Sequence, residues 1–400
     1  MKTYFISSLF PNELKEELLN KSVGATANAN NAFQWALFNG LRVYYPNLFL
    51  LNFPNVGAYP ARFKKFKVNG SLIKYNEIIV GESFSFINLI QLKHYFKYIL
   101  LCNVLKSILE QDEEDFLFFV YDLYPPFLNA INKFKKRYPN QSIKICLIVP
   151  DLHGLTGEKS GFISNIFLKF NDYLLDKSYD GVDYFVFLTK FMAERMPVKD
   201  RSWVCVEGIF DSNLVFDSTC IDSKKRIFYS GAIDERNGVI NLLKAFEKIK
   251  FDNYELLICG EGVLSGLVSE CSKKDPRIIY LGQIPREKVL RLQSNCTLLI
   301  NPRVPGQDFT KYSFPSKTME YLASGTPTLM YNLEGLPKEY HNYCFIQRDL
   351  SIDSLYKRIL EICEMDSDYL YNFGQKARRF ILENKTPEAQ CLLVYNMIRG

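Results

Sequence analysis

Lys317 and Glu320 stand one helical turn apart in the stretch YSFPSKTMEYLASGTPTL, residues 312–329. At that spacing the two side chains share one face of a helix. Pro315 suits the first helical positions and Ser316 can cap the helix. The flanks, TLLINP before and TPTLMY after, are apolar enough to be buried strands. A short helix between two such strands starts at the carboxyl edge of the sheet, where ligands gather in α/β folds. A lysine beside free backbone N–H groups suits phosphate, and a glutamate one turn on can hold ligand hydroxyls. A surface ion pair is the plainer explanation and would stabilise little. The buried flanks favour ligand binding.

Other stretches carry candidate chemistry. CGEGVLSG, residues 259–266, follows a strand and opens a helix like a dinucleotide fingerprint, but its third glycine is displaced by one. Gly260 and Gly262 permit close backbone approach, to a ligand or simply in a tight turn. SVGATANANNAFQWAL, residues 22–37, sets Gly24, Thr26, Asn28, Asn30 and Asn31 before an apolar helix. These residues either leave N–H groups for an anion or sugar, or cap the helix. In IVPDLHGLTGEKSG, Asp151 and His153 follow a strong strand. His153 either orients a hydroxyl and moves a proton, or bonds to loop backbone. With only three histidines, His94, His153 and His341, a histidine-built metal site is not expected. ARFKKFKVNG, residues 61–70, interleaves Arg62, Lys64, Lys65 and Lys67 with Phe63 and Phe66. It reads as a half-exposed strand or as a contact for an anionic membrane.

The elements that must position these groups alternate along the chain. Apolar runs such as FLFFVYD, IKICLIVPD, RIFYSG and ELLICG are separated by helical patterns such as NNAFQWALFNGL and GVINLLKAFEKI. Strands apolar at nearly every position belong in parallel sheets covered on both faces. The series divides at the polar stretch VEGIFDSNLVFDSTCIDSKKR, residues 206–226. The expected fold class is therefore α/β with two Rossmann-like, doubly wound domains. The expected boundaries are 1–210, 211–380, and a C-terminal helix over 381–400 that could pack back on the first domain.

The 400 residues are 48% apolar with a net charge of +5. That composition provides large cores and gives no dense basic face for nucleic acid. Ten cysteines lie scattered, many in apolar runs, and read as reduced thiols of a cytoplasmic protein. No uncharged run approaches the ~18 residues of a membrane span. Any membrane contact is therefore expected to be peripheral, at the inner face of the cytoplasmic membrane.

FPSKTMEYLASGTPTLMYNLEGLPKEY resembles the donor-site segment of family 4 glycosyltransferases with the GT-B fold, particularly the bacterial branch that builds surface polysaccharides. FYSGAIDERNGVINLLKAF resembles the start of that family's C-terminal domain, ICGEG its next glycine turn, and FLTKFMAERM with VEGIFD the end of its N-terminal domain and linker. The resemblance implies two domains facing a cleft. The C-terminal domain would hold a nucleotide-sugar donor and the other mainly the acceptor, a glycan or lipid-linked glycan. It implies transfer with retention, no metal and no cofactor. Donor contacts would come from Gly231, Gly260, Gly262, Ser316, Lys317 and Glu320. Lys317 and Arg236 would stabilise the leaving diphosphate, with His153 and Glu320 completing the catalytic set. Gly24, Asn28, Asn30 and Asp151 would line the acceptor side.

Three positions depart from the family pattern. Tyr312 stands where the first of two paired glutamates is common, and Ala232 and Asn237 stand where an arginine and a lysine are common. Arg236 is the expected substitute. The reading is a glycosyltransferase of capsule or O-antigen assembly. An epimerase acting on a UDP-sugar and a catalytically silent GT-B protein that binds a glycan or partner remain as alternatives.

Overall fold

A computed structural model describes the chain except residues 24–27, 91, 112–113, 153–176, 212–223 and 316, and the side chains of Asn28 and Asp308. His153, Gly24 and Ser316 therefore lie outside the described residues, as does the side chain of Asn28. The chain forms two compact units, Met1–Glu207 with Pro387–Gly400, and Gly208–Thr386.

The first unit contains β1 (Lys2–Ser7), β2 (Phe49–Asn52), β3 (Lys67–Val68), β4 (Ser71–Tyr75), β5 (Ile78–Ser83), β6 (Phe86–Ile87), β7 (Phe116–Tyr121), β8 (Ile143–Val149), β9 (Tyr184–Phe187) and β10 (Ser202–Cys205). Eight of them form one sheet in the order β10-β9-β8-β7-β1-β2-β5-β4, while β3 and β6 pair separately. Only the β4–β5 hairpin is antiparallel within the large sheet. Every residue of β7 is buried, as a strand covered on both faces requires. The last helix, Pro387–Arg399, packs on Asn28–Tyr44. That approach depends on Gly40, where a Cβ would stand 2.2 Å from the carbonyl oxygen of Pro387.

The second unit contains β11 (Lys225–Ser230), β12 (Tyr254–Cys259), β13 (Ile278–Tyr280), β14 (Leu298–Asn301), β15 (Thr328–Tyr331) and β16 (Phe345–Gln347). They form a parallel sheet in the order β13-β12-β11-β14-β15-β16. The winding direction reverses between β11 and β14, so the loops after these strands part there and leave room for a ligand. Both units are thus Rossmann-like. Among the described residues, no helix is long and apolar enough to cross a membrane.

The helix Leu92–Glu110 holds Lys97 beneath the carboxyl end of β2. The buried Lys97 Nζ donates to the carbonyls of Phe53 and Pro54, each at 3.2 Å, and lies 4.4 Å from the Phe86 ring centroid. Burial pushes its pKa down from 10.5 to about 7. Between these values the unfolded chain binds more protons on Lys97 than the folded one does. Stability from this group therefore rises with pH through that window, and the burial penalty is fully present below it. Lys97→Met should lack this rise. Thermal melts between pH 7 and 10 check it as the difference between variant and wild type, and parallel curves would contradict it.

Candidate functional site

The helix Lys317–Ala323 buries Thr318, Met319, Tyr321, Leu322 and Ala323, leaving Lys317 and Glu320 on the remaining face. Gly325, at φ +79°, ends it in the left-handed conformation that glycine adopts most readily, and Pro327 follows. The helix has seven residues, so its charge effect comes from side chains more than from its dipole.

Tyr321 fixes the helix to the centre of the sheet. Its hydroxyl accepts from Ser230 N–H at 2.8 Å and donates to the Ser230 carbonyl at 3.1 Å. Ser230 is the last residue of β11, so this contact sets Lys317 and Glu320 relative to the reversal point. Gln293 Nε2 supports the same place by donating to Ser230 Oγ at 3.3 Å.

Glu320 accepts from Lys317 Nζ at 3.2 Å and from Arg286 Nε at 3.1 Å. Its side chain is 16% exposed, against 42% for Lys317 and 51% for Arg286. Burial raises the pKa of this carboxyl, but the two cations outweigh it and hold the group below its ordinary value. The Lys317 charge also reaches Cys259 at the end of β12, where it opposes the upward push of burial on that thiol.

The glycines make close backbone contacts. Gly260, at φ +133°, brings its α-carbon so near β11 that a Cβ would lie 1.9 Å from the Gly231 carbonyl oxygen, and one on Gly262 would lie 2.3 Å from that of Ile233. Gly231 N–H donates to the Cys259 carbonyl at 3.0 Å, and Gly260 N–H to that of Gly282 at 2.9 Å. The close approach in CGEGVLSG is thus to the chain's own backbone.

Arg236 is exposed in the loop after β11. In the same loop Asn237 does not take a lysine's place over the edge. Its amide bonds to the Ala232 carbonyl at 3.1 Å and to Asp234 Oδ1 at 2.8 Å. Tyr312 is buried under Lys311, whose Nζ lies 5.5 Å from the ring centroid. On the first unit, Asn30 Oδ1 accepts from Gln34 Nε2 at 2.6 Å, and Gln34 Oε1 accepts from Ser8 N–H at 2.9 Å. This amide network ties the helix to the loop after β1. Asp151 is exposed after β8, and its charge reaches the buried Tyr121 hydroxyl.

Sequence reasoning missed Arg286, whose partner Glu320 is distant in the chain. It also missed Arg303, although Arg303 directly follows TLLINP and so had a readable signal. Its guanidinium carbon stacks 4.6 Å from the Phe309 ring centroid at the end of β14.

These features define an α/β domain with cations at the carboxyl edge of a parallel sheet. Residues 212–380 match the family model of glycosyl transferases group 1. The second unit accordingly carries a glycosyl transferases group 1 domain. No curated protein sequence matches the chain.

Solved structures of GT-B glycosyltransferases resemble it along its whole length. Sucrose-phosphate synthase from Thermosynechococcus elongatus is 13% identical with a TM-score of 0.66, covering 100% of this chain and 98% of its own. The lipopolysaccharide outer core galactosyltransferase WaaB, in apo form, is 14% identical with a TM-score of 0.61, covering 100% and 99%. HepE of Anabaena, in complex with UDP, is 12% identical with a TM-score of 0.64, covering 100% of both chains. At such identities the likeness is one of fold, and the fold is GT-B.

Tyr321→Phe should lower stability by about 1–3 kcal/mol, because it leaves both backbone groups of Ser230 without their partner. Denaturant unfolding measures this, and an unchanged midpoint would contradict the placement.

Proposed function

We propose that the chain is a retaining, metal-independent glycosyltransferase. It moves a sugar from a nucleotide-sugar donor to a glycan or lipid-linked glycan in cell-surface polysaccharide biosynthesis. The observation that carries the donor part is the pairing of Lys317 with a mostly buried Glu320 at the carboxyl edge of the second unit's sheet. As the bond from the anomeric carbon to the phosphate oxygen breaks, charge grows on the diphosphate. Lys317 and the accessible Arg236 offset that charge. Glu320, held ionised by Lys317 and Arg286, accepts from donor hydroxyls. The acceptor hydroxyl forms the new bond to the anomeric carbon and gives up its proton, the role assigned to His153 as base. Gly231, Gly260 and Gly262 shape the turns around the donor, and Ser316 extends the phosphate contact. Gly24, Asn28, Asn30 and Asp151 remain the acceptor-side assignment.

Among the similar structures, HepE is in complex with UDP and a trehalose-phosphate synthase with glucose-6-phosphate, which supports a nucleotide-linked donor and, more coarsely, a sugar acceptor. One observation favours the catalytically silent alternative, because both carboxylate oxygens of Glu320 are already taken by cations. A turnover screen across UDP-, GDP-, ADP- and CDP-sugars separates the two readings. Lys317→Ala should cut kcat/KM by about 10–100-fold by removing charge stabilisation at the leaving group. Wild-type kinetics in that variant would refute the assignment, and no turnover of any donor would favour the silent reading.

The membrane part rests on the first unit. Phe63 and Val68 of ARFKKFKVNG point into its core, while Phe66 is 58% exposed. Ile90, Leu92 and Tyr95 are also exposed nearby, and Tyr59 packs edge-on to Phe66. Arg62, Lys64 and Lys67 have no ion pair among the described residues, whereas Lys65 pairs with Glu17. Apolar side chains fringed by unpaired cations suit an anionic bilayer. The protein should float with vesicles containing phosphatidylglycerol and not with neutral ones, and Phe66→Ser with Ile90→Ser should reduce flotation. A protein that stays in solution with both kinds of vesicle would remove the membrane from the account.

A further inference from the structure

The loops after β11 and β14 part at the reversal point but touch at one place. Gly238, at φ +72°, sits so close to Pro302 that a Cβ there would lie 1.9 Å from the Pro302 carbonyl oxygen. The next residue is Arg303. Its Nε is buried without a hydrogen-bond partner, and its guanidinium makes no ion pair among the described residues. Burial pushes this group below its ordinary pKa, with Asp234 and Tyr229 opposing and Arg236 adding to the effect.

Asp234 does not neutralise Arg303 by direct pairing. Its Oδ1 accepts from the backbone N–H of Asn237 at 2.9 Å and from its side chain at 2.8 Å. The Phe309 ring lies against the guanidinium. The terminal Nη groups, unlike Nε, are not among the buried unpartnered atoms, so they are the donors that can grip phosphate oxygens in pairs. The platform is itself fixed. Glu334 accepts from Gly306 N–H at 3.2 Å and Thr310 Oγ1 at 2.8 Å, which braces the loop on both sides of Phe309.

A half-buried arginine whose Nε is enclosed without a partner, and which has no carboxylate paired with it among the described residues, costs stability that a neutral side chain would not. Such a cost is expected where an anion arrives to complete the site. The chain also lacks basic residues at 232 and 237, where the loop after β11 holds Ala232 and a fully committed Asn237.

We propose that Arg303 binds the diphosphate of the donor, supplying from the end of β14 the guanidinium that those two positions do not. This rests on the nucleotide-sugar reading above. Arg236 then serves as a second, outer cation, and Lys317 approaches from the helix that precedes β15.

The test is calorimetric titration of the full chain with UDP, GDP, ADP and CDP, in wild type, Arg303→Gln and Arg303→Lys. Wild type should bind at least one. Arg303→Gln should bind it at least about 10-fold more weakly, the loss of a charge-assisted bidentate contact. Arg303→Lys, which keeps the charge but not the fork, should fall between them. Without nucleotide, Arg303→Gln should melt no lower than wild type, a result that a purely structural arginine would not give. Wild-type affinity in Arg303→Gln would overturn this inference and leave the donor reading standing. If no diphosphate binds the wild-type protein, the donor reading falls and this inference with it. Should Arg303→Gln fail to fold, a folded Arg303→Lys protein decides the matter: weakened binding supports the proposal and unchanged binding overturns it.

Discussion

The buried hydroxyl of Tyr321 holds together two parts of the chain that the site needs at one place. Through Ser230 it ties the end of the central strand β11 to the helix bearing Lys317 and Glu320. Because the tie uses both backbone groups of one residue, it fixes position along the strand as well as distance from it. The cations at this edge are therefore placed by a rigid sheet and not by loops alone. The glycine contacts between the turns after β11 and β12 tighten the same edge from the other side.

Charge at this edge is arranged in two ways. Glu320 is satisfied twice, by Lys317 and Arg286, and stays ionised although mostly buried. Arg303, by contrast, is half-buried with its enclosed Nε unsatisfied. The Glu320 carboxylate has acceptor sites left for hydroxyl groups, and a loosening of its contact with Lys317 would free that lysine for phosphate. An unsatisfied guanidinium needs no such exchange. The two arrangements complement one another around a ligand that carries both hydroxyls and a diphosphate.

The fold was legible because its central strands are buried on both faces. FLFFVY and YELLIC have no polar face to confuse with a helix, and helical patterns between them imply parallel order. The short elements β3, β4, β6 and β10 were not legible, since two to five residues at an edge carry no decisive period. Lys317 and Glu320 were legible as a pair because helical spacing is local. Arg286 was not, since only the sheet brings it to Glu320. The glycine turn was readable as a close approach, but what it approaches depends on the neighbouring strand. Asn30 illustrates the same limit, because its partner Gln34 in turn accepts from Ser8 in the loop after β1, a contact that the helical spacing does not show. Tyr312 was noticed only as a departure from a pattern, and burial now accounts for its apolar ring.

The central claim is that a nucleotide-sugar occupies the carboxyl edge of the second unit's sheet. Hydrogen–deuterium exchange, with and without a panel of nucleotide-sugars, tests it most directly. The account predicts that a bound donor slows exchange in the loop after β11, the loop after β14 and the start of the helix Lys317–Ala323. Protection confined to the first unit, or no protection with any donor, would contradict it.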